Sequence, residues 1–152
     1  MCMIKVKVKK LKPNAVVPSY MSTGAAGCDV NACLESSLWV QPGERVAVPT
    51  GLSVEIPLGY EIQVRPRSGL AFKKGLTVVN APGTIDSDYR GEIKVLIINL
   101  GKEAVEIVPQ DRIAQLVIQK IDQIEWQEVE GLGETVRGVG GFGSTGVSAT
   151  PV

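Results

Sequence analysis

The chain contains no histidine. This absence excludes Ser-His-Asp and Cys-His catalysis and any metal site with an imidazole ligand, so a general base would have to be a carboxylate or a perturbed Lys, Tyr or Cys. Cysteine is scarce as well, because Cys2, Cys28 and Cys33 are odd in number and lack paired metal-ligand spacing. They indicate reduced thiols in a cytosolic protein, with a disulfide or a catalytic thiol as the alternatives.

An excess of charge of either sign is also missing, because 16 Lys and Arg residues balance 16 Asp and Glu residues. Proteins that bind nucleic acids or membrane surfaces carry a basic excess, so neither partner is expected. The first residues alternate Lys with Ile and Val and contain no apolar block of signal-peptide length. A cytoplasmic protein is therefore expected, in which a few local cations would have to meet any anionic ligand.

Long helical periods are absent too, whereas turn signals recur about every eight to twelve residues between short apolar runs. This pattern predicts an all-β fold, a single antiparallel sandwich or barrel, and 152 residues are enough for one core without metal or disulfide staples. Alternation of Ile4, Val6 and Val8 with lysines predicts a half-buried first strand. A last strand is predicted over 124–129, and one short helix over 67–74.

The most chemically suggestive stretch is 83–91, which leads into an apolar strand. It places Asp86, Asp88, Tyr89 and Arg90 in a turn bounded by glycines. Such a turn on a rigid strand suits a catalytic site, because functional residues concentrate on loops held by a scaffold. The alternative is ordinary turn chemistry, in which Asp and Ser side chains hydrogen-bond their own backbone.

A second group of anion-binding residues is predicted where Arg67 and Ser68 begin the short helix. A guanidinium, a hydroxyl and the free N–H groups of a helix start favour a bound anion. The alternative is simply a strand that ends in an N-capped turn.

The glycine-rich terminus from Gly131 onward has no periodicity, which is typical of a disordered end. Its second interpretation rests on Arg137, Phe142, Ser144 and Thr145. Free backbone N–H groups, two hydroxyls and a guanidinium suit polyphosphate oxygens, and an aromatic on a flexible arm could close over a planar base. A nucleotide is therefore the expected ligand.

Five segments, in the same order and with similar spacing, resemble the motifs of the trimeric dUTPases (dUTP pyrophosphatases), and the resemblance covers nearly the whole chain. Small departures are Cys28 and Val30, where bulkier apolar residues are frequent, and Pro82 before Gly83. The five segments are 26–30, 67–71, 83–91, 112–116 and 137–146.

The resemblance implies a jelly-roll-like β-barrel of the dUTPase-like β-clip type, assembled as a homotrimer with shared active sites. It implies a barrel domain over 1–130 and a flexible arm over 131–152 that completes the site. It also implies hydrolysis of dUTP to dUMP and pyrophosphate with Mg²⁺, which keeps uracil out of DNA and supplies dUMP for thymidylate synthesis. No direct protein ligand to the metal is expected, and Asp29 would lie near the metal's water shell or in supporting ion pairs.

The resemblance further assigns roles to individual residues. Asp86 is the expected catalytic carboxylate that deprotonates water, Asn80 would bind the uracil edge, and Tyr89 would pack on the deoxyribose. A neighbouring subunit would contribute Arg67, Ser68 and Gln115 to phosphate binding, while the C-terminal arm would close over the nucleotide. The full set of expected substrate-binding residues is Arg67, Ser68, Gly69, Asn80, Gly83, Thr84, Ile85, Asp86, Tyr89, Lys94, Gln115, Arg137, Phe142, Gly143, Ser144 and Thr145.

Two rival functions remain at the level of sequence. A deoxycytidine-nucleotide deaminase of the same broad fold would need its catalytic acid placed differently, so the turn from Asp86 to Tyr89 favours the pyrophosphatase. A nucleotide-binding regulator or a capsid-like β-barrel without catalysis would have no need of Asp86, Arg137 and Phe142.

Overall fold

The computed structural model describes residues 3–144 and forms eleven strands and one short helix over that range. The all-β prediction is confirmed. The elements are β1 Lys7–Lys10, β2 Cys28–Asn31, β3 Leu38–Val40, β4 Arg45–Pro49, β5 Leu52–Glu55, β6 Tyr60–Arg65, α1 Ser68–Lys74, β7 Leu76–Val78, β8 Gly83–Ile85, β9 Lys94–Asn99, β10 Val105–Ile107 and β11 Arg112–Lys120.

Four antiparallel sheets organise these strands. The largest has the order β2-β11-β6-β8, a second has the order β4-β9-β7, and two-stranded sheets join β1 to β5 and β10 to β3. Pairing of β6 with β8 sets Ile62 opposite Ile85 and Val64 opposite Gly83. This register places the start of the acidic turn directly beside the central strand of the largest sheet.

The core follows from the two-residue period of the strands. In β9 the side chains of Val95, Ile97 and Asn99 are buried, whereas Lys94 and Leu96 on the opposite face are exposed. Each buried Val, Leu or Ile contributes about 1.5–3 kcal/mol relative to an exposed one. The apolar core thereby fixes the face on which Lys94 projects.

The predicted short helix is confirmed as α1. It ends at Gly75, which adopts a left-handed conformation with φ of 68°. A Cβ atom at this position would lie 2.5 Å from the backbone nitrogen of Gly101. Glycine is required because a side chain would be strained by the conformation and would collide with backbone.

The chain divides after Asp122 into two compact units, which are described separately. The predicted strand over 124–129 is wrong: within the described chain the last strand is β11, and residues 122–139 are exposed. A segment with alternating apolar residues forms a strand only where a partner strand is available. The second unit contains no partner strand over its described residues. The predicted end of the barrel domain, after residue 130, falls inside this second unit.

The N-terminal strand begins at Lys7, later than the alternation predicts. Ile4 and Val8 are 41% and 40% exposed, so the expected half-burial is met only approximately. No helix in the part of the chain that the structure describes is long and apolar enough to span a bilayer.

Candidate active site

A cleft of about 380 Å³ lies beside β8 and the turn that follows it. This volume falls within the range of about 300–1,000 Å³ that is usual for small-molecule sites. The cleft is lined by Val64, Asn80, Gly83, Thr84, Ile85, Asp86, Tyr89, Glu92, Ile93, Lys94 and Leu96.

One wall of the cleft is the turn between β7 and β8. The N–H of Val79 donates to the carbonyl of Leu96 (2.9 Å), which ties this turn to β9. A Cβ atom on Gly83 would lie 3.1 Å from Nδ2 of Asn80, so glycine lets the Asn80 amide lie close over the β8 backbone. The Asn80 side chain is exposed and has no hydrogen-bond partner among residues 3–144, which leaves it available to a ligand.

The opposite wall begins at Asp86, immediately after β8. The turn is closed by a hydrogen bond from the Tyr89 N–H to the Asp86 carbonyl (3.2 Å). Nη1 of Arg90 donates to the Ser87 carbonyl (2.6 Å), and the Tyr89 hydroxyl donates to the Glu92 carbonyl (3.0 Å). The carboxylate of Asp86 itself is exposed and forms no ion pair or hydrogen bond within the described residues.

The cleft therefore contains two acids and one base over the described range. The Glu92 carboxylate is already engaged, because Oε1 accepts from the Gly51 N–H (2.9 Å) and Oε2 lies 4.0 Å from Nζ of Lys94. Asp86 is the carboxylate left free to accept a proton from a bound water, as a general base must. Lys94 is the only cationic side chain that lines this cleft among residues 3–144.

Three predicted residues, Asp29, Arg67 and Gln115, meet Arg112, which was not predicted as a site residue, in what we call the Asp29 cluster. Asp29 is 3% exposed, and its Oδ2 lies 3.0 Å from Nη1 of Arg112 and 3.5 Å from Nη2 of Arg67. Nε2 of Gln115 donates to Oδ1 of Asp29 (3.3 Å), while Nη1 of Arg67 donates to the Arg112 carbonyl (3.0 Å). A buried carboxylate is tolerated here because two guanidinium groups and an amide surround it.

Pairing of β2 with β11 assembles this cluster, because it sets Asp29 opposite Gln115. Ser68 and Gly69 are exposed at the start of α1, next to Arg67. None of these residues lines the cleft that contains Asp86 in the same chain. The structure thus separates the predicted site residues of one chain into two places.

The remaining predicted residues belong to the second unit. Nε of Arg137 donates to the Gly140 carbonyl (2.8 Å), and the Ser144 N–H donates to the Gly141 carbonyl (3.0 Å). Phe142 is fully exposed with φ of 49°. Gly143 follows it with φ of 88°, and Thr145 lies outside the described residues.

Four cleft residues are missing from the sequence prediction: Val64, Glu92, Ile93 and Leu96. Glu92 and Ile93 directly follow the 83–91 segment, so their nearness to the acidic turn is a signal that could have identified them. Val64 reaches the cleft only because β6 pairs with β8, and register across strands distant in sequence is not readable from a single sequence.

The sheets form an all-β fold. The cleft with Asp86 and the Asp29 cluster with its two guanidinium groups contain the side chains expected of an enzyme that binds a nucleotide. Comparison with protein-family models matches residues 13–146 to the family described as dUTPase. The chain belongs to the dUTPase family, so the predicted family and the predicted assignment as a dUTP diphosphatase are confirmed.

Individual relatives agree with this assignment. A protein of Bdellovibrio bacteriovorus named deoxyuridine 5'-triphosphate nucleotidohydrolase is 58% identical over 144 residues, which is 94% of this chain and 97% of the relative. A G164S mutant of Staphylococcus bacteriophage 80alpha dUTPase with dUpNHpp has a TM-score of 0.84 at 28% identity, covering 94% of this chain and 99% of that one. A mutant dUTPase of S. aureus phage phi11, described with a structural Mg(II) ion, has a TM-score of 0.74 at 26% identity, with 84% and 97% covered. The jelly-roll-like β-barrel prediction is thereby confirmed.

Proposed function

We propose that this chain hydrolyses dUTP to dUMP and pyrophosphate, with Asp86 as the general base that activates water for attack at the α-phosphorus. The observation that carries the proposal is the placement of Asp86: its carboxylate lines the cleft, follows a paired strand and has no partner among the described residues. General-base assistance of this kind is typically worth about 10²–10⁴-fold in rate.

Recognition of the base and sugar would fall to the walls of the cleft. The amide of Asn80 and the backbone of β8 offer donors and acceptors for the uracil edge, and a base held between them would leave a 5-methyl group crowded against the wall of the cleft. Tyr89, whose hydroxyl is held by the Glu92 carbonyl, would present its ring to deoxyribose and exclude a 2′-hydroxyl. Rejection of an added group by steric clash can be strict, whereas detecting a missing methyl gains only about 1–3 kcal/mol.

Binding of the triphosphate would need more cations than one chain's cleft provides. A triphosphate carries several negative charges, and Lys94 is the one basic side chain that lines the cleft within the described range. We therefore propose a homotrimer with shared active sites, in which Arg67, Ser68, Gly69 and Gln115 of a neighbouring subunit hold the phosphates. Planar guanidinium groups suit phosphate oxygens because their N–H donors match the oxygen spacing.

The C-terminal residues would complete the site as an arm. Arg137 would bind the terminal phosphate, Phe142 would stack on the base, and Gly143, Ser144 and Thr145 would offer backbone N–H groups and hydroxyls. The exposed aromatic ring of Phe142 and the left-handed Gly143 support this proposal, because the ring packs on no core of its own unit.

Mg²⁺ fits this site as an ion held mainly by the substrate. Among the described residues no three His, Cys, Asp or Glu side chains converge on one point. Phosphate oxygens are the ligands that Mg²⁺ prefers, and bound Mg²⁺ would neutralise charge on the triphosphate. Asp29 would act indirectly, because both of its oxygens already bind Arg67, Arg112 and Gln115.

During turnover Asp86 would accept the proton of the attacking water as the bond between the α-phosphorus and the bridging oxygen breaks. The departing pyrophosphate would be stabilised by the cations from the neighbouring subunit and the arm. In a cell this reaction would keep uracil out of DNA and supply dUMP for thymidylate synthesis. The free thiols of Cys28 and Cys33 are compatible with the proposed cytoplasmic location.

Phosphorus NMR tests the proposal directly. The purified chain with Mg²⁺ is incubated separately with dUTP, dTTP, dCTP and UTP, and we expect pyrophosphate and a monophosphate only from dUTP. In water enriched in oxygen-18 the label should enter dUMP and not pyrophosphate, which identifies the α-phosphorus as the point of attack. Untouched dUTP would favour a binding protein. Deamination leaves the triphosphate intact, so the dCTP sample is also followed by ultraviolet absorbance, and conversion of cytosine to uracil would favour the deaminase.

The same assay tests the role of Asp86. Asp86→Asn should bind dUpNHpp with nearly unchanged affinity and lose about 10²-fold or more of its turnover. Full activity in this variant would remove Asp86 from the mechanism.

A further inference from the structure

A buried segment that leads from the end of β4 into the first residues of β5, residues 50–53, contacts the turn that carries Asp86. We call it the support segment. Thr50 is 0% and Ser53 is 7% exposed, and neither lines the cleft. A buried hydroxyl group destabilises the fold unless it is hydrogen-bonded. The hydrogen-bond partner of each hydroxyl therefore indicates which part of the structure it stabilises.

Both hydroxyls donate to the backbone that follows Asp86. Oγ of Ser53 donates to the Arg90 carbonyl (2.6 Å), and Oγ1 of Thr50 donates to the Ile93 carbonyl (2.6 Å). Backbone hydrogen bonds lie between these two, because the Ile93 N–H donates to the Leu52 carbonyl (2.8 Å). The Gly51 N–H to Glu92 bond described above belongs to the same set.

The support segment is itself held rigidly. Gly51 adopts a left-handed conformation with φ of 67°, and a Cβ atom there would lie 2.7 Å from Sγ of Cys33 and 2.8 Å from Cβ of Ala15. Oγ1 of Thr50 also accepts from the Leu52 N–H (3.3 Å). A tightly packed, hydrogen-bonded segment can transmit the position of the core to whatever is attached to it.

The catalytic turn has little other attachment on this side. Asp88, Tyr89, Arg90 and Gly91 are exposed, and the hydrogen bonds of Tyr89 and Arg90 close the turn on itself. Its other end is fixed by the pairing of Ile85 with Ile62. The support segment, together with the pairing of Lys94 with Pro49 at the start of β9, therefore fixes the second end of the turn relative to the barrel.

We propose that Ser53 is a positioning residue for catalysis and that Thr50 assists it. The hydrogen bond from Ser53 to the Arg90 carbonyl holds the turn so that the Asp86 carboxylate meets the attacking water. This inference rests on the proposed role of Asp86. Small displacements of a reacting group are expensive, since about 1 Å can cost about 10²-fold in rate. Contacts to the base, which would use Asn80 and β8, do not depend on this bond, whereas Tyr89 lies in the turn itself, so its contact with the deoxyribose would weaken together with the position of Asp86.

Ser53→Ala removes one hydroxyl and leaves the Arg90 carbonyl free to bind water. We expect kcat to fall about 10-fold, and KM for dUTP and the affinity for dUpNHpp to change by less than kcat does, because the contacts to the base are kept. Thr50→Val, which removes the other hydroxyl at nearly equal volume, should act in the same direction. An unchanged kcat in both variants would overturn the proposal.

A double-mutant cycle separates positioning from general loss of structure. In an Asp86→Asn background Ser53→Ala should change the residual rate by less than about twofold, because there is no base left to position. A 10-fold loss in both backgrounds would overturn the proposal. Asp86→Asn with full activity would instead refute the proposed function, so the two failures are distinguishable.

Asn99→Ala serves as the matched control for a buried polar group remote from the turn. Asn99 is 0% exposed and its amide donates to the carbonyls of Val40 and Glu103. The Asn99→Ala variant should lower Tm at least as much as Ser53→Ala does. Its kcat, measured well below Tm, should stay within about twofold of the unmodified protein. If kcat fell in proportion to Tm in both variants, Ser53 would be a structural residue only.

Discussion

Replacing Asp29 with Asn removes the one negative charge of the Asp29 cluster while nearly preserving side-chain volume. The guanidinium groups of Arg67 and Arg112, 3.5 Å and 3.0 Å from Oδ2, would then face a neutral amide. Breaking a fully buried ion pair costs about 3–5 kcal/mol. The side chains of Arg67 and Arg112 are 27% and 45% exposed, so water would offset part of the lost attraction. We expect the free energy of unfolding to fall by about 1–3 kcal/mol.

Urea denaturation at a fixed protein concentration measures this loss, because the proposed trimer would make apparent stability depend on concentration. Asp122→Asn is the control, since Asp122 is an exposed carboxylate without an ion pair in the described part of the chain. Arg112→Gln should show a similar loss, and the double variant should lose less than the sum of the two. In the same variants KM for dUTP should rise more than kcat falls, because Arg67 would lose its orientation. A loss no larger than that of Asp122→Asn, or strict additivity, would refute the reasoning.

Three further outcomes follow from other parts of the chain. Gly75→Ala should lower the free energy of unfolding by about 2–4 kcal/mol in the same urea assay, because a left-handed non-glycine residue and a backbone clash add together. Deletion of everything after Val136 should leave a folded barrel by circular dichroism and a large loss of dUTP hydrolysis, and unfolding of the truncated chain would contradict the proposed arm. The hydrogen bond from Lys7, together with its charge, lowers the pKa of Glu55. The small stabilisation from this pair is therefore present above the ordinary Glu pKa and is lost as pH falls through the lowered pKa of Glu55. Lys7→Gln should return the pKa of Glu55, measured by NMR, toward its ordinary value.

Local sequence signals predicted the parts of the fold whose causes are local. The apolar run after the acidic turn predicted the strand that is β9, and the short stretch over 67–74 predicted the helix that is α1. The acidic turn after β8 was identified because carboxylates, an aromatic and an arginine are crowded between glycines. Each of these features depends on neighbours in sequence, so a single sequence contains the information.

Features that depend on pairing between distant strands could not be predicted in the same way. The contact between Asp29 and Arg112 joins residues far apart in sequence, and it exists because β2 pairs with β11. The residue-by-residue roles proposed for the site came from a family resemblance, whereas their distances came from the structure. The strand predicted over 124–129 failed for the converse reason, since its alternation was visible but its partner was not.

Separation of the Asp29 cluster from the cleft of the same chain has a genetic consequence. In the proposed trimer each active site would take Asp86 from one subunit and Arg67 from its neighbour. A substitution at Asp86 and a substitution at Arg67 in the same chain would therefore impair two different sites. Two inactive alleles, one altered at each residue, would then complement each other when expressed together, because mixed trimers would contain some sites that receive both intact residues. Dominance would follow the same logic, since a single altered subunit would impair a site whose base-binding half is supplied by a normal neighbour.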